Sequence, residues 1–151
     1  MKSTAQTTKE KNEMVKNLKV HFSKVSDHWS TPKNVYDALD KEFGFNDDPC
    51  PIGGNGGLDR AWGTKTFVNP PYSQIKDWVK KAYEESQLGK TVVLLIPSRT
   101  DTRFWHEYVM KGEIRFIKGR LKFGGSKNSA PFPSAIVIFR GNTSDDKGGG
   151  G

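Results

Sequence analysis

The chain has 151 residues, which makes a single domain the default expectation. Lys and Arg number 24 against 17 Asp and Glu, a formal net charge of +7. Such a balance favours a polyanionic partner, nucleic acid before membrane, because neutralising phosphates releases counterions. The single Cys50 excludes an internal disulfide framework and fits a reducing cytoplasm, and no apolar run approaches the length of a membrane span.

With 34% hydrophobic residues and a mean hydropathy of -0.69, the composition points to a moderate core with polar tails. Residues 1–26 are charged, lack the apolar run of a signal peptide, and read as a flexible basic tail. The folded domain is expected over 27–140, and the polar residues 141–151, which end in four glycines, read as a second flexible tail.

The domain starts at Asp27-His28-Trp29-Ser30-Thr31-Pro32. Ser30 or Thr31 before Pro32 is a helix start, a hydroxyl cap followed by a proline whose missing N–H does no harm. Val35, Leu39 and Phe43 then recur at helical spacing over Lys33–Phe43, and Gly44 ends the helix. Phe45–Asp48 is a short strand candidate that runs into a loop rich in proline and glycine, from Pro49 to Gly57. A strand ending in an acid and then glycines can bring backbone close to a ligand, although such loops are also plain turns. A strand ending at Asn69 follows Trp62-Gly63, and Ser73 is expected to cap a helix with Ile75, Trp78, Val79 and Ala82 on its apolar face. Thr91–Pro97 is the most apolar run and reads as a central parallel strand. Thr100 or Asp101 is expected to cap a helix carrying Phe104, Trp105, Tyr108 and Val109. Glu113–Phe123 reads as one or two strands and Ser134–Phe139 as the last. This order predicts an α/β sheet finishing in an antiparallel hairpin.

The chemistry concentrates in Asn69-Pro70-Pro71-Tyr72. The prolines fix the loop and remove backbone donors, leaving carbonyls that only accept. The Asn69 side-chain carbonyl and the Pro70 backbone carbonyl could converge on one planar NH2 group. Two acceptors favour the positive charge and pyramidal geometry that develop when such an amine attacks. Tyr72 offers a flat face on which a heterocycle can stack. Taken alone, the four residues fit equally a strand-end turn plugged by a tyrosine.

The wider pattern decides between these readings. Trp29-Ser30-Thr31-Pro32, Glu42-Phe43-Gly44-Phe45, Asp48-Pro49-Cys50, Asn69-Pro70-Pro71-Tyr72-Ser73, Ile96 to Thr102, Gly119 to Phe123 and Ala130 to Ser134 occur in order over roughly residues 27–139. Together they resemble the phage-type DNA N-6-adenine methyltransferase (Dam-like) family. The resemblance implies a compact, abbreviated Rossmann-like methyltransferase sheet with helices on both faces. It implies transfer of a methyl group from S-adenosylmethionine to the 6-amino group of adenine in double-stranded DNA, by direct displacement after the base swings out of the duplex. Asn69, Pro70, Pro71 and Tyr72 are then the catalytic set, with Asn69 and Pro70 holding the amine and Tyr72 stacking the base.

By the same resemblance, Thr31 and Pro32 contact the methionine part of the cofactor, and Asp48, Pro49 and Cys50 form the first cofactor-binding strand end. Only about twenty residues separate Asp48 from Asn69, too few for the strand–helix units that carry a ribose-binding acid in larger relatives. Asp59 is a substitute candidate. Direct displacement needs no covalent intermediate, so Cys50 reads as a small loop or core residue.

Arg115, Lys118, Arg120, Lys122 and Lys127 interleave with Phe116 and Phe123, so an alternating strand would align cations against phosphates. The same pattern also fits a solvated strand face. Arg99, after the central strand, is placed to hold a phosphate or an internal carboxylate. His21, His28 and His106 lack metal-ligand spacing, and no metal is expected. A monomer or weak dimer in the cytoplasm completes the expectation. The competing readings are transfer to cytosine's 4-amino group or another planar amine, and a catalytically silent DNA-binding module.

Overall fold

The apolar run Thr91–Pro97 becomes strand β2, and every residue in it after Thr91 is buried because protein covers both its faces. The computed structural model describes residues 28–54, 56–123 and 129–141. The expected tails, His21 and Lys127 lie outside the described residues, apart from Gly141. The four strands are β1 (Lys65–Val68), β2, β3 (Glu113–Phe116) and β4 (Ser134–Phe139), in the spatial order β1-β2-β4-β3. β1 runs parallel to β2, with Lys65 opposite Thr91 and Val68 opposite Leu94. β4 is antiparallel to β2, with Pro97 opposite Ser134, and β3 is antiparallel to β4, with Phe116 opposite Ala135.

Alternation along the strands splits the core into two layers. Val92, Leu94 and Ile96, with Val137 and Phe139, pack with Trp78, Val79 and Ala82 of α2 (Ile75–Ser86) and with Phe104 and Trp105 of α3 (Arg103–Glu107). Phe67, Val93, Leu95, Ile136 and Ile138 point the other way, onto Leu39 and Phe43 of α1 (Lys33–Phe43). Each such side chain contributes roughly 1.5–3 kcal/mol on burial, so both helical layers are fastened by hydrophobic contact. Helices therefore cover both faces, as expected.

α1 has the expected bounds. Gly44 ends it at φ 69°, a conformation that suits a residue without Cβ, and its N–H bonds Asp40 O. Its start differs from expectation. Pro32 is the cap residue, its carbonyl accepting from the N–H groups of Val35 and Tyr36, and the Thr31 hydroxyl is engaged by Asn69. Ser73 likewise sits inside a 3₁₀ turn, Tyr72–Gln74, that precedes α2, and Gln74 holds the cap position. α3 is capped at Thr102, one residue beyond Asp101.

Phe45–Asp48 contributes a single parallel bridge, Asp47 to Thr66, along the outer edge of β1. The chain from Pro49 to Thr64 adds no strand and only one 3₁₀ turn among the described residues, Gly57–Asp59. Three contacts fasten it. Arg60 grips Asp47 with both terminal guanidinium nitrogens, Trp62 Nε1 donates to Gly57 O, and Trp62 N donates to the buried Glu85. A Cβ at Gly57 would lie 1.9 Å from Pro49 O, so only glycine allows this loop to close on itself.

The expected strand over Glu113–Phe123 stops at Phe116. Ile117 N–H still reaches Ser134 O, and Gly119 at φ 76° then turns the chain. The hairpin is therefore an antiparallel pair joined by a long connection, 117–133. Because β1 and β2 are parallel and β4 opposes them, Asn69, Ser98 and the start of β4 share one edge of the sheet. In α/β sheets this carboxyl edge is where ligands bind.

Candidate active site

Asn69 is the first residue after β1 and is 4% exposed. Its side-chain nitrogen donates to the Trp29 carbonyl at 2.5 Å and to the Thr31 hydroxyl at 2.9 Å. Trp29 O can only accept, so the nitrogen must face it and the amide has one allowed orientation. Both amide protons are thereby used. Asn69 Oδ1 is left buried with no hydrogen-bond partner. Leaving a buried acceptor unmet costs about 1–3 kcal/mol, a penalty that a ligand donor would relieve.

Asn69 also lines a cleft of about 150 Å³, together with His28, Trp29, Ser30, Thr31, Asp48, Cys50, Pro51 and Ile52. Two strand ends meet there, the bridge strand at Asp48 and β1 at Asn69. His28 joins them: its Nε2 donates to the Asn69 carbonyl at 2.8 Å and lies 3.8 Å from Cys50 Sγ. The Asp48 carboxylate accepts from Cys50 N, and crowding by the surrounding protein raises its pKa above the usual Asp value. Burial pushes the Cys50 thiol up to about 12, with Asp48 adding to the effect, so it stays protonated and unreactive.

Beyond Asn69, Pro70 is buried, and the Pro71 carbonyl accepts from Gln74 N, which fixes the turn that carries Tyr72. Tyr72 is half-buried and makes an edge contact with Phe132, centroids 5.0 Å apart. Phe132 also meets Trp29 and Phe123, so an aromatic group runs from the cleft wall to Tyr72.

The residues expected from the sequence separate clearly. Thr31, Asp48, Cys50 and Asn69 line one cleft. Pro32 adjoins it at the head of α1, and Pro49 lies buried against Gly57. Asp59, the substitute for a ribose-binding acid, is exposed and outside that lining. Arg99, Lys118, Arg120 and Lys122 are exposed on the connections at the carboxyl edge. Ile117, Leu121 and Phe123 pack inward between those cations, so the in–out alternation persists without a strand. Arg115 differs from the other cations. It holds Glu42 through two nitrogens at 2.7 and 2.8 Å and Glu113 at 2.7 Å, so its charge is engaged by protein carboxylates. These pairs raise its pKa and lower those of Glu42 and Glu113.

The sequence does not mark His28 as a site residue, because its partner Asn69 lies 41 positions away and it has no metal-ligand spacing. Its place directly before Trp29-Ser30-Thr31-Pro32 was the available signal. Among the described residues no group of three or more His, Cys, Asp or Glu could hold a metal ion, and no helix is long and apolar enough to cross a membrane.

Comparison with known proteins places the chain in a family. The profile of the family described as DNA N-6-adenine-methyltransferase (Dam) matches residues 19–146. A protein named DNA N-6-adenine-methyltransferase from Escherichia phage T1 is 28% identical over 134 residues, covering 79% of this chain and 56% of the relative. The chain thus spans little more than half the length of that relative. The matched profile takes in the cleft, the Asn69 turn and the cationic connections alike, and the chain belongs to the DNA N-6-adenine-methyltransferase (Dam) family.

Proposed function

We propose that this chain transfers a methyl group from S-adenosylmethionine to the 6-amino group of adenine in DNA. The observation that carries the proposal is the buried, unpartnered Asn69 Oδ1, fixed in orientation by Trp29 and Thr31. An adenine amine supplies the donor that this oxygen lacks. The amine's lone pair is delocalised into the ring, so it is a poor nucleophile. An acceptor already aimed at its N–H stabilises the positive charge that grows on nitrogen as it attacks, without reorganisation at the moment of reaction. The Pro70 carbonyl is the second acceptor, and Tyr72 stacks the base that has left the duplex.

The cleft suits the cofactor in its donor set. Asp48 offers a carboxylate for a cation or hydroxyl, Thr31 and the head of α1 offer polar contacts for the amino-acid part, and Pro51 and Ile52 offer apolar surface for a heterocycle. When bound, S-adenosylmethionine supplies an electrophilic methyl group on a sulfonium. Asn69 orients the amine from a buried strand end. Cys50 serves as wall, since a protonated thiol has no part in a direct displacement. The exposed Arg99, Lys118, Arg120 and Lys122 bind backbone phosphates.

The test is transfer from labelled S-adenosylmethionine to unmethylated duplex DNA, followed by nucleoside mass analysis. Label in 6-methyladenine supports the proposal. Label in 4-methylcytosine or in protein, or DNA binding with no transfer, overturns it.

A further inference from the structure

His28 has no role in the reaction so far. We infer that His28 is a positioning residue, which holds the strand end at Asn69 through the main-chain carbonyl and takes no proton from the substrate. The inference rests on the proposed methyl transfer and adds a residue to it. Asn69 O has only lone pairs, so the 2.8 Å contact requires the proton to reside on His28 Nε2. A nitrogen that carries this proton has no lone pair to offer an amine. The titratable groups beside the ring are Asp48 and Cys50, and Cys50 Sγ packs 3.8 Å from the same nitrogen. The imidazole therefore sits between the two strand ends that form the cleft.

The consequence for Asn69 is a three-point grip. His28 holds its main chain, while Trp29 O and the Thr31 hydroxyl hold its amide. All three partners come from one short stretch, residues 28–31, which leads into α1. Side-chain contacts alone would fix the plane of the amide but not the position of the backbone it hangs from. With the carbonyl pinned as well, Oδ1 is aimed from both ends.

The experiment compares His28→Leu, which cannot donate, with His28→Gln, whose amide nitrogen reaches about as far as Nε2. His28→Leu is expected to lower kcat about tenfold or more, as small misplacements of reacting groups do, with KM for cofactor and DNA changed less than about threefold. His28→Gln should recover most of that kcat. Its kcat–pH profile should superimpose on that of the unaltered protein, because the donated proton is present whether the imidazole is neutral or charged. An inactive His28→Gln, or one that loses an acid limb the unaltered protein shows, would make His28 a base and overturn the inference. So would unaltered kcat in His28→Leu. If His28→Leu does not fold, His28→Asn, too short to reach, carries the same comparison.

A second readout needs no turnover. The Asn69 side-chain NH2 signals, assigned in a nitrogen-15 spectrum by their loss in Asn69→Ser, should move toward free-amide positions in His28→Leu and stay in His28→Gln. Unmoved signals in His28→Leu refute the positioning role. Absence of transfer by the unaltered protein would instead sink the proposed function, with the spectra still deciding the role of His28.

Discussion

Thr31→Val removes one oxygen and changes almost nothing else. Valine keeps the volume and branching of threonine, and the head of α1 is capped at Pro32, so no helix cap is lost with the hydroxyl. What disappears is the acceptor 2.9 Å from Asn69 Nδ2. Asn69 is 4% exposed, so water has little access to that nitrogen. A buried donor left unmet costs about 1–3 kcal/mol. At about 4 °C per kcal/mol for a domain of this size, the melting temperature should fall by roughly 4–12 °C. The amide cannot escape by turning over, because that would set Oδ1 against Trp29 O at the 2.5 Å contact. It can only tilt, which misdirects the acceptor and should slow single-turnover methyl transfer about tenfold. Thr31→Ser retains the hydroxyl and should retain most of both properties. Thermal unfolding followed by circular dichroism, with transfer measured on the same preparations, decides the matter. A valine variant with unaltered melting temperature and rate would show that the hydroxyl does not hold Asn69, and the orientation argument would fail.

Other outcomes follow from the same geometry. Replacing Arg120 and Lys122 together by Ala should reduce the slope of log K against log salt for DNA binding by about 1–2. Arg115→Ala should leave that slope unchanged, because its charge already faces Glu42 and Glu113; equal effects would return Arg115 to the DNA surface. Cys50, with its thiol held at about 12, should react with iodoacetamide at pH 8 only as fast as the protein unfolds, and Cys50→Ala should retain transfer. Rapid labelling of the native state would contradict its placement. The Arg60 pair holds the Asp47 carboxyl below the ordinary value of 3.8. A depressed carboxylate contributes stability that is present above the unfolded pKa and lost as pH falls through the lowered native one. Urea stability of Asp47→Asn should therefore fall less steeply with acid below about pH 4 than that of the unaltered protein; parallel curves would refute the pairing.

Much of the fold was legible because its signals are local. Val35, Leu39 and Phe43 set the helical period and Gly44 the stop, so α1 has the expected ends. Thr91–Pro97 and Ser134–Phe139 are apolar after their first residues because both faces are covered, and their bounds agree as well. The failures share one cause, a partner far away in sequence. Thr31 reads as a cap residue until Asn69, 38 positions on, claims its hydroxyl. Arg115 reads as a phosphate ligand until Glu42, 73 positions back, meets it in space. Glu113–Phe123 alternates like a strand, yet β4 pairs only as far as Phe116, and the later alternation is a loop packing Ile117, Leu121 and Phe123 inward. For the site, the turn Asn69–Tyr72 was visible as chemistry. The unmet Oδ1, and the grip from residues 28–31 that leaves it unmet, appear only in three dimensions.

The central claim is that Asn69 Oδ1 captures the adenine amine. The most direct measurement is single-turnover methyl transfer by Asn69→Ala at saturating cofactor and DNA, beside DNA binding by the same preparation. The account predicts that formation of 6-methyladenine is abolished while DNA affinity is largely retained. Transfer at the unaltered rate would contradict it.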